Sequence, residues 1–408
     1  MNDFTAQHDN RIVIVGAGPV GLALALILAR YDVPSLILES REAPMPLDES
    51  RAIVWMPKGL ELLDWLGLTE QFAERGVRRT AHEFWNTEER LLTLSFTELD
   101  HPHRYSLQLP QHDTESLLEQ AALHTGLVEI RRRHQVVDVG ERDGLAWVKV
   151  ESPSGSYTFE AGWAVGCDGA NSQVRNSLGI EQRWRDYGTD SAVADFEMDC
   201  DLPLETSRII LDPVRPYGFF YFAPGRWRFI YRINAGENRQ ETTSESAATQ
   251  LLISKLPGAK INRFLWASAF RLGQGQSRAY RKGHWLLAGD AAHAMGPSAG
   301  AGMMVGVLGA WRLGWRLAMV ATGRSSNDSV LDNYEREQRA GSEEVQNANA
   351  QIFWNMAVTN PSVASMRAAV LKFVSHVPSA THSIVAQEAL INQKLKIPDT
   401  LNEASGNG

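Results

Sequence analysis

A chain of 408 residues with 44% hydrophobic and 22% charged side chains can bury a sizeable core and should divide into two or three domains. Forty Lys and Arg stand against 48 Asp and Glu, and the longest basic block is Arg131–Arg133, so the formal charge of -8 argues against a nucleic-acid partner. Only Cys167 and Cys200 are present, too few and too far apart for a disulfide framework or a thiolate metal site, so no metal is expected.

The N-terminus, Met1–Asn10, is polar and lacks a positively charged start before an apolar core. The longest apolar run, Val20–Ala29, falls short of a membrane span. Both features lead to the expectation of a soluble cytoplasmic protein. Arg11–Val15 then reads as a buried parallel strand, Gly16–Gly21 as a tight turn, Leu22–Arg30 as a helix and Ser35–Glu39 as the next strand, a βαβ unit. From Val136, short strands alternate with turn signals at Asp143-Gly144 and Ser154-Gly155, predicting an antiparallel meander that ends in Trp163–Val165. A second β-rich stretch runs over about Ser191–Phe270, where Tyr217–Phe222 and Trp227–Ile233 flank the turn Ala223–Arg226 as a hairpin. Trp285–Ala288 is the next strand, and a loop of small residues feeds a helix ending near Ala321. Helical periodicity covers Val330–Lys394 with breaks at Pro361 and Pro378, and the last dozen residues read as a frayed polar tail.

The segment Val15-Gly16-Ala17-Gly18-Pro19-Val20-Gly21 fits a dinucleotide fingerprint. Gly16 permits the tight turn, Gly18 lets the backbone approach a pyrophosphate, and Gly21 allows the helix to pack close to the strand. The helix N-terminus offers unpaired N–H groups to phosphate, and Glu39, 18 residues past Gly21, is placed to accept from an adenosine ribose. These residues do not separate NAD from FAD. Asp290, after an apolar strand, would sit at the carboxyl end of the sheet, where it could accept from ribityl hydroxyls. Pro297-Ser298-Ala299-Gly300-Ala301-Gly302-Met303 presents bare backbone to a flat ring and then starts a helix, whose N-terminus would favour a reduced, anionic flavin. Taken alone, Asp168 reads better as a turn aspartate and Asp290 as a helix cap.

Two of these segments carry a resemblance. Gly166-Cys167-Asp168-Gly169-Ala170-Asn171-Ser172, followed by Val174-Arg175, is similar to the Asp-Gly motif of class A, single-component FAD-dependent monooxygenases. Leu287-Ala288-Gly289-Asp290-Ala291-Ala292-His293 is similar to that family's Gly-Asp motif. The chain resembles the aromatic hydroxylase group, of the para-hydroxybenzoate and 3-(3-hydroxyphenyl)propionate hydroxylase kinds, over about residues 11–340. The resemblance implies an α/β fold: a Rossmann-like FAD-binding domain with a parallel sheet and β-meander, an inserted β-rich substrate domain and a C-terminal helical segment. The implied division is 1–75, 101–185 and 271–345 for the FAD-binding domain, 76–100 and 186–270 for the substrate domain, and 346–408 for the helical segment.

The resemblance also implies bound FAD, with Gly16, Ala17, Gly18, Pro19, Gly21, Glu39, Asp168, Asp290, Gly300, Ala301, Gly302, Met303 and Met304 around it and Arg51 and Gln111 contacting it. NADH or NADPH would visit transiently. The chain departs from the family inside its signature: Met304 stands where many members have Asn, Gly309 where an Asp is expected, and Arg312 where an Asn is expected. His293 sits in a run that is structural in the family, which gives it a packing or hydrogen-bonding role.

The implied reaction is hydroxylation of a phenolic, N-heteroaromatic or polyketide ring by O₂, through a flavin C4a-hydroperoxide that the protein keeps dry. Other outcomes would be an epoxidase, a reductase, a halogenase or a non-catalytic flavin-binding protein; no Trp-x-Trp-x-Ile-Pro motif of the halogenases is present. By strand alternation Gly218, Phe220 and Phe222 share one face of the hairpin and Tyr217, Phe219 and Tyr221 the other. Phe220 and Pro297 are the expected substrate contacts. No motif designates a base, and Asp212, Arg215, Tyr217 and Tyr221 are candidates only by their nearness to the expected pocket. A monomer or a homodimer is expected.

Overall fold

Fully apolar strands are stable only where both faces are covered, and the strand Ile12–Val15 has every residue buried. In the computed structural model, which describes residues 7–46, 49, 52–296, 300–325, 329–395 and 397–405, it lies inside a six-stranded sheet. The order is Arg281–Lys282, Trp285–Leu287, Ala164–Gly166, Ile12–Val15, Ser35–Glu39 and Val128–Arg132. The last five are parallel, and Arg281–Lys282 closes one edge antiparallel. The helix Pro19–Arg30 packs on this sheet and against the helix Gly302–Ala321, where a Cβ on Gly314 would stand 2.3 Å from Ile27 Cγ2.

The expected meander is present as Gln135–Arg142, Leu145–Ser152 and Gly155–Ala161, with Gln7–Asp9 added in parallel at its edge. Its first turn is Asp143-Gly144, both residues at positive φ (50° and 75°), the backbone that a two-residue hairpin needs. A seven-stranded sheet is built from Lys260–Ser277, Gln182–Asp199, Arg226–Ile233, Tyr217–Ala223, Thr206–Ile210, Ala81–Trp85 and Arg90–Ser95. The expected hairpin lies at its centre. A small fourth sheet of Val54–Trp55, Ser106–Gln108 and Val77–Arg79 has its last two strands against Tyr217–Ala223.

Two sequence expectations are corrected. The stretch read as β-rich also holds the helix Glu245–Lys255, of which only Ala248 and Leu252 are buried, too thin an apolar stripe to show in the sequence. The tail read as frayed docks instead. Leu401 is buried in the main core, and Tyr31 Oη donates to the Pro398 carbonyl at 2.6 Å. The helices Pro361–Ser375 and Pro378–Glu388 start at the expected prolines, and Ser329–Met356 ends before the first of them. No helix among the described residues is long and apolar enough to cross a membrane.

Candidate active site

Three neighbouring strands of the parallel sheet end level with one another. Gly166 pairs with Val15 on one side and Leu287 on the other. The turn after each strand therefore leaves from the same edge, the carboxyl edge at which open α/β sheets bind ligands. Gly16–Gly18, Cys167–Gly169 and Gly289–Ala291 are those three turns. They also interlock: a Cβ on Gly16 would stand 2.6 Å from the Cys167 carbonyl oxygen, and a Cβ on Gly306, in the helix beyond, would stand 3.2 Å from Gly289 Cα.

The first turn is cut for backbone proximity. Gly16 has φ 105°, and a Cβ on Gly21 would stand 2.1 Å from the Gly16 carbonyl oxygen, so helix and turn touch there. Gly18 faces open space, caps the helix Pro19–Arg30 with no side-chain bond, and leaves the first N–H groups of that helix available to an anion. Glu39 Oε2 accepts from Ala17 N at 2.7 Å. Burial alone would push the Glu39 carboxyl up, but the Arg41 guanidinium and backbone N–H, with Ala17 N, hold it below the usual range. Arg41 reaches on to Glu115 (3.2 Å), Glu115 accepts from Gln111 Nε2 (2.8 Å), and Gln111 Oε1 accepts from Ala52 N (3.1 Å). Gln111 thus ties the segment after Arg51 to the network of Glu39. Arg51 and Pro297 lie outside the described residues.

Asp168 serves its own turn. It accepts from Ser172 Oγ at 2.5 Å and from Val174 N at 3.0 Å, while burial keeps its carboxyl above the usual range. Arg175 bridges the second and third turns, donating to the carbonyls of Ala170 (2.9 Å) and Ala291 (3.4 Å). Asp290 differs from both acids: among the described residues its carboxylate has no hydrogen-bond partner, and burial pushes it up to about 6. It retains a little surface, so an acceptor with unmet capacity looks out from the sheet edge. Three residues on, His293 is buried and accepts from Gln338 Nε2 at 2.9 Å, and burial brings it down to about 4. That partner leaves the imidazole neutral and structural.

Gly300 has φ 66°, and Ala301 caps the helix Gly302–Ala321 without a side-chain bond, so this N-terminus too has available N–H groups. Met304 is fully buried and points away from it, into the notch of Gly59, where a Cβ would stand 2.4 Å from Met304 Sδ. Only the Met304 backbone remains for a cofactor. The departures at Gly309 and Arg312 belong together. The Gln338 side chain lies over Gly309, accepts from Arg312 Nη1 (2.5 Å) and donates to His293 and to the Val305 carbonyl (2.9 Å each). Arg312 Nη2 donates to Gln393 Oε1 at 2.9 Å.

On the large sheet the alternation holds. Tyr217, Phe219 and Tyr221 pack in the outer core with Phe229 and Tyr231, whereas Phe222 joins the main core and Phe220 is half-buried in neither. The weak base candidates are engaged on the outer side: Asp212 pairs with Lys255 (3.0 Å), Lys255 lies over the Tyr217 ring (5.1 Å), Arg215 pairs with Glu237, and Tyr221 Oη accepts from Gly225 N. The structure does not bring these four together with Asp290. Sequence reasoning missed what lies beside Phe220. Arg228, its cross-strand partner, makes a buried two-bond ion pair with Asp195 (2.8 Å each), and Trp266 Nε1 donates to the same carboxylate. The pair is set by strand register, 33 residues apart, and no local motif marks it.

The chain matches the FAD binding domain model over residues 9–349. It is 32% identical over 342 residues to the 12-dehydrotetracycline 5-monooxygenase/anhydrotetracycline 6-monooxygenase of Streptomyces rimosus subsp. rimosus, covering 80% of this chain and 66% of that protein. It is 31% identical over 375 residues to a 3-(3-hydroxy-phenyl)propionate/3-hydroxycinnamic acid hydroxylase of Mycolicibacterium smegmatis, covering 90% and 65%. The chain spans about two thirds of the length of these curated relatives. Among solved structures, the anhydrotetracycline hydroxylase from Streptomyces rimosus superposes with a TM-score of 0.78 at 29% identity, over 95% of this chain and 77% of that one. The p-nitrophenol 4-monooxygenase from Pseudomonas putida reaches 0.86 over 96% and 100%, and at 24% identity that likeness is one of fold. With a family match running unbroken from residue 9 to residue 349 across all three sheet-edge turns, this chain belongs to the FAD binding domain family.

Proposed function

We propose that the chain is an FAD-dependent monooxygenase that uses NADH or NADPH and O₂ to hydroxylate an aromatic substrate. The observation that carries this reading is Asp290, an unpartnered and largely desolvated carboxylate at the level edge shared by the three turns. A lone acceptor held there at the cost of its own hydration suits a ligand that brings hydroxyl donors. The curated relatives, named as monooxygenases and hydroxylases of aromatic compounds, support the same activity.

In this reading the N–H groups after Gly18, with Ala17, Pro19 and Gly21 shaping the turn, hold the pyrophosphate, and Glu39 accepts from the adenosine ribose. Gly16 and Asp168 set the turns, and Asp290 accepts from the ribityl chain. The backbone of Gly300, Ala301, Gly302, Met303 and Met304, with its available N–H groups, would hold the flavin ring and favour negative charge on it. FAD, once bound and reduced, supplies the activation of O₂. The protein's share is to position the ring and exclude water. The residues 1–75, 101–185 and 271–345 would form the cofactor base, and 76–100 and 186–270 the roof, with Phe220 facing the substrate.

The test is to load the purified chain with FAD and follow the flavin band at about 450 nm. NADH or NADPH should bleach it, faster with a phenol present, and the product should gain the mass of one oxygen. A protein that refuses FAD, or one that no donor bleaches, would end this reading; a product without added oxygen would turn it toward a reductase.

A further inference from the structure

The helix Pro361–Ser375 is apolar on both sides. Inward, Leu371 and Val374 pack against Leu92 and Leu94 of the edge strand Arg90–Ser95, and Arg367 donates to the Leu211 carbonyl at 2.6 Å. Outward, Val363, Met366, Val370 and Phe373 follow at spacings of 3, 4 and 3, which aligns them in one stripe. These four are 45–72% exposed, and Ala369 between them is exposed as well. A helix bordering solvent normally carries its charge on that side. Here the helix has two charged residues, and neither lies in the stripe: Arg367 is turned inward, and Lys372, on the flank, bonds to Glu89 at 2.5 Å.

The apolar surface continues past the helix. Val214 and Trp354, both more than half exposed, line a cleft together with Ala357 and Thr359, the latter two residues short of Pro361. The Leu211 carbonyl that holds Arg367 is three residues from Val214, so the cleft and the stripe adjoin. At roughly 150–250 Å² for a whole residue of these sizes, the six side chains leave about 700 Å² in contact with solvent. The largest apolar patch on an ordinary monomer is about 300–600 Å². Each partner in a standard interface contributes about 800 Å².

The chemistry of the patch narrows what covers it. The C-terminal stretch of the chain is engaged elsewhere, with Leu401 in the main core and the Pro398 carbonyl accepting from Tyr31 Oη. An anionic membrane calls for cations on the polar flanks, and both cations of this helix are committed to partners within the fold. A second copy of the chain brings the same uncharged stripe, and the stripe is complementary to itself. Its midpoint falls at Ala369 and Val370, where a small residue lets two helices approach closely. An antiparallel pair crossing there on a two-fold axis sets Phe373 against the partner subunit's Met366, and does so twice, each time an aromatic ring against a thioether. With the same patch covered on both copies, about 1,400 Å² is buried in all, which is the size of a standard stable interface.

We propose that the chain forms a two-fold dimer through the outward face of Pro361–Ser375, centred on the reciprocal contacts of Phe373 and Met366. The interface lies away from the three sheet-edge turns and does not depend on which reaction they support.

Sedimentation velocity of the FAD-loaded chain in the micromolar range tests it. The parent should sediment at twice the mass of one chain. Met366→Glu and Phe373→Lys should each weaken the dimer roughly 30-fold or more, as loss of a central interface anchor does, with far-UV circular dichroism and bound FAD as in the parent. Mixed in equal amounts, the two variants should regain a dimer, because the heterodimer replaces one ring–thioether contact by a lysine–glutamate pair and keeps the other. Ile253→Glu, at a site as exposed as Val363 but on the helix Glu245–Lys255, should leave the dimer intact. A monomeric parent, a dimer that survives both variants, or variants that do not restore one another would overturn the proposal. A monomeric parent that instead sediments with anionic lipid vesicles would overturn it in favour of a membrane surface.

Discussion

Asp290 and His293 sit three residues apart and pull the fold in opposite directions with pH. The folded-state value of Asp290 is raised to about 6, so the folded protein binds more protons than the unfolded one, and stability falls as pH rises through the window from the ordinary carboxylate range to about 6. His293 is lowered to about 4, so the unfolded chain binds more protons, and stability rises with pH between about 4 and the ordinary histidine value. In FAD-free protein the two slopes offset one another. Asp290→Asn removes one of them. Relative to the parent, this variant should gain stability steadily from pH 4 to pH 6, and its own curve should then show the His293 slope, worth up to roughly 3 kcal/mol. Urea unfolding at several pH values reads the difference, and parallel curves for variant and parent would show that Asp290 is not desolvated as described.

The helix Gly302–Ala321 is where the chain departs from the family pattern, and the structure gives those departures one purpose. Arg312, brought down to about 10 by burial, reaches Gln338 on the next helix and Gln393 and the Lys394 carbonyl in the C-terminal segment. It acts as a clamp between three stretches of chain. Arg312→Met leaves the Gln338 and Gln393 oxygens without that donor, at an expected cost of about 2–4 kcal/mol. Limited proteolysis should then cut first within residues 389–405, and a cleavage pattern like the parent's would contradict the clamp. This also shows what a sequence can reveal. The glycine turn, Asp290 and the prolines at helix starts are local chemistry at fixed spacing, and they were legible. Arg312 reads in sequence as a missing asparagine, because its partners lie 26 and 81 residues away. The Asp195–Arg228 pair was invisible for the same reason: which residues share a face depends on the register between distant strands. The helix Glu245–Lys255 was missed because two buried residues do not make a periodicity.

For the whole molecule, a cofactor that touches turns from the beginning, middle and end of the sequence should stabilise them as one unit. FAD at about 100 times its dissociation constant should add about 2.7 kcal/mol to the global stability if the unfolded chain does not bind it. Chemical denaturation with and without FAD measures this, followed both by flavin release and by tryptophan fluorescence. The two signals should move together, and a roof that melts separately would argue for independent units.

The two 18-residue strands of the large sheet, Gln182–Asp199 and Lys260–Ser277, are paired antiparallel from Asp199 and Lys260 at one end to Gln182 and Ser277 at the other. At the base end Gly275 and Ser277 donate to the carbonyls of Ala294 and Ala292, and Gly296 donates to that of Gly273. A protein engineer who exchanges roofs between relatives to change substrate therefore has no clean joint at the end of the β-rich stretch. The last five residues of the strand, Gly273–Ser277, are hydrogen-bonded to the loop that follows Asp290, and a graft that replaces them brings in the donor's loop geometry along with its sheet.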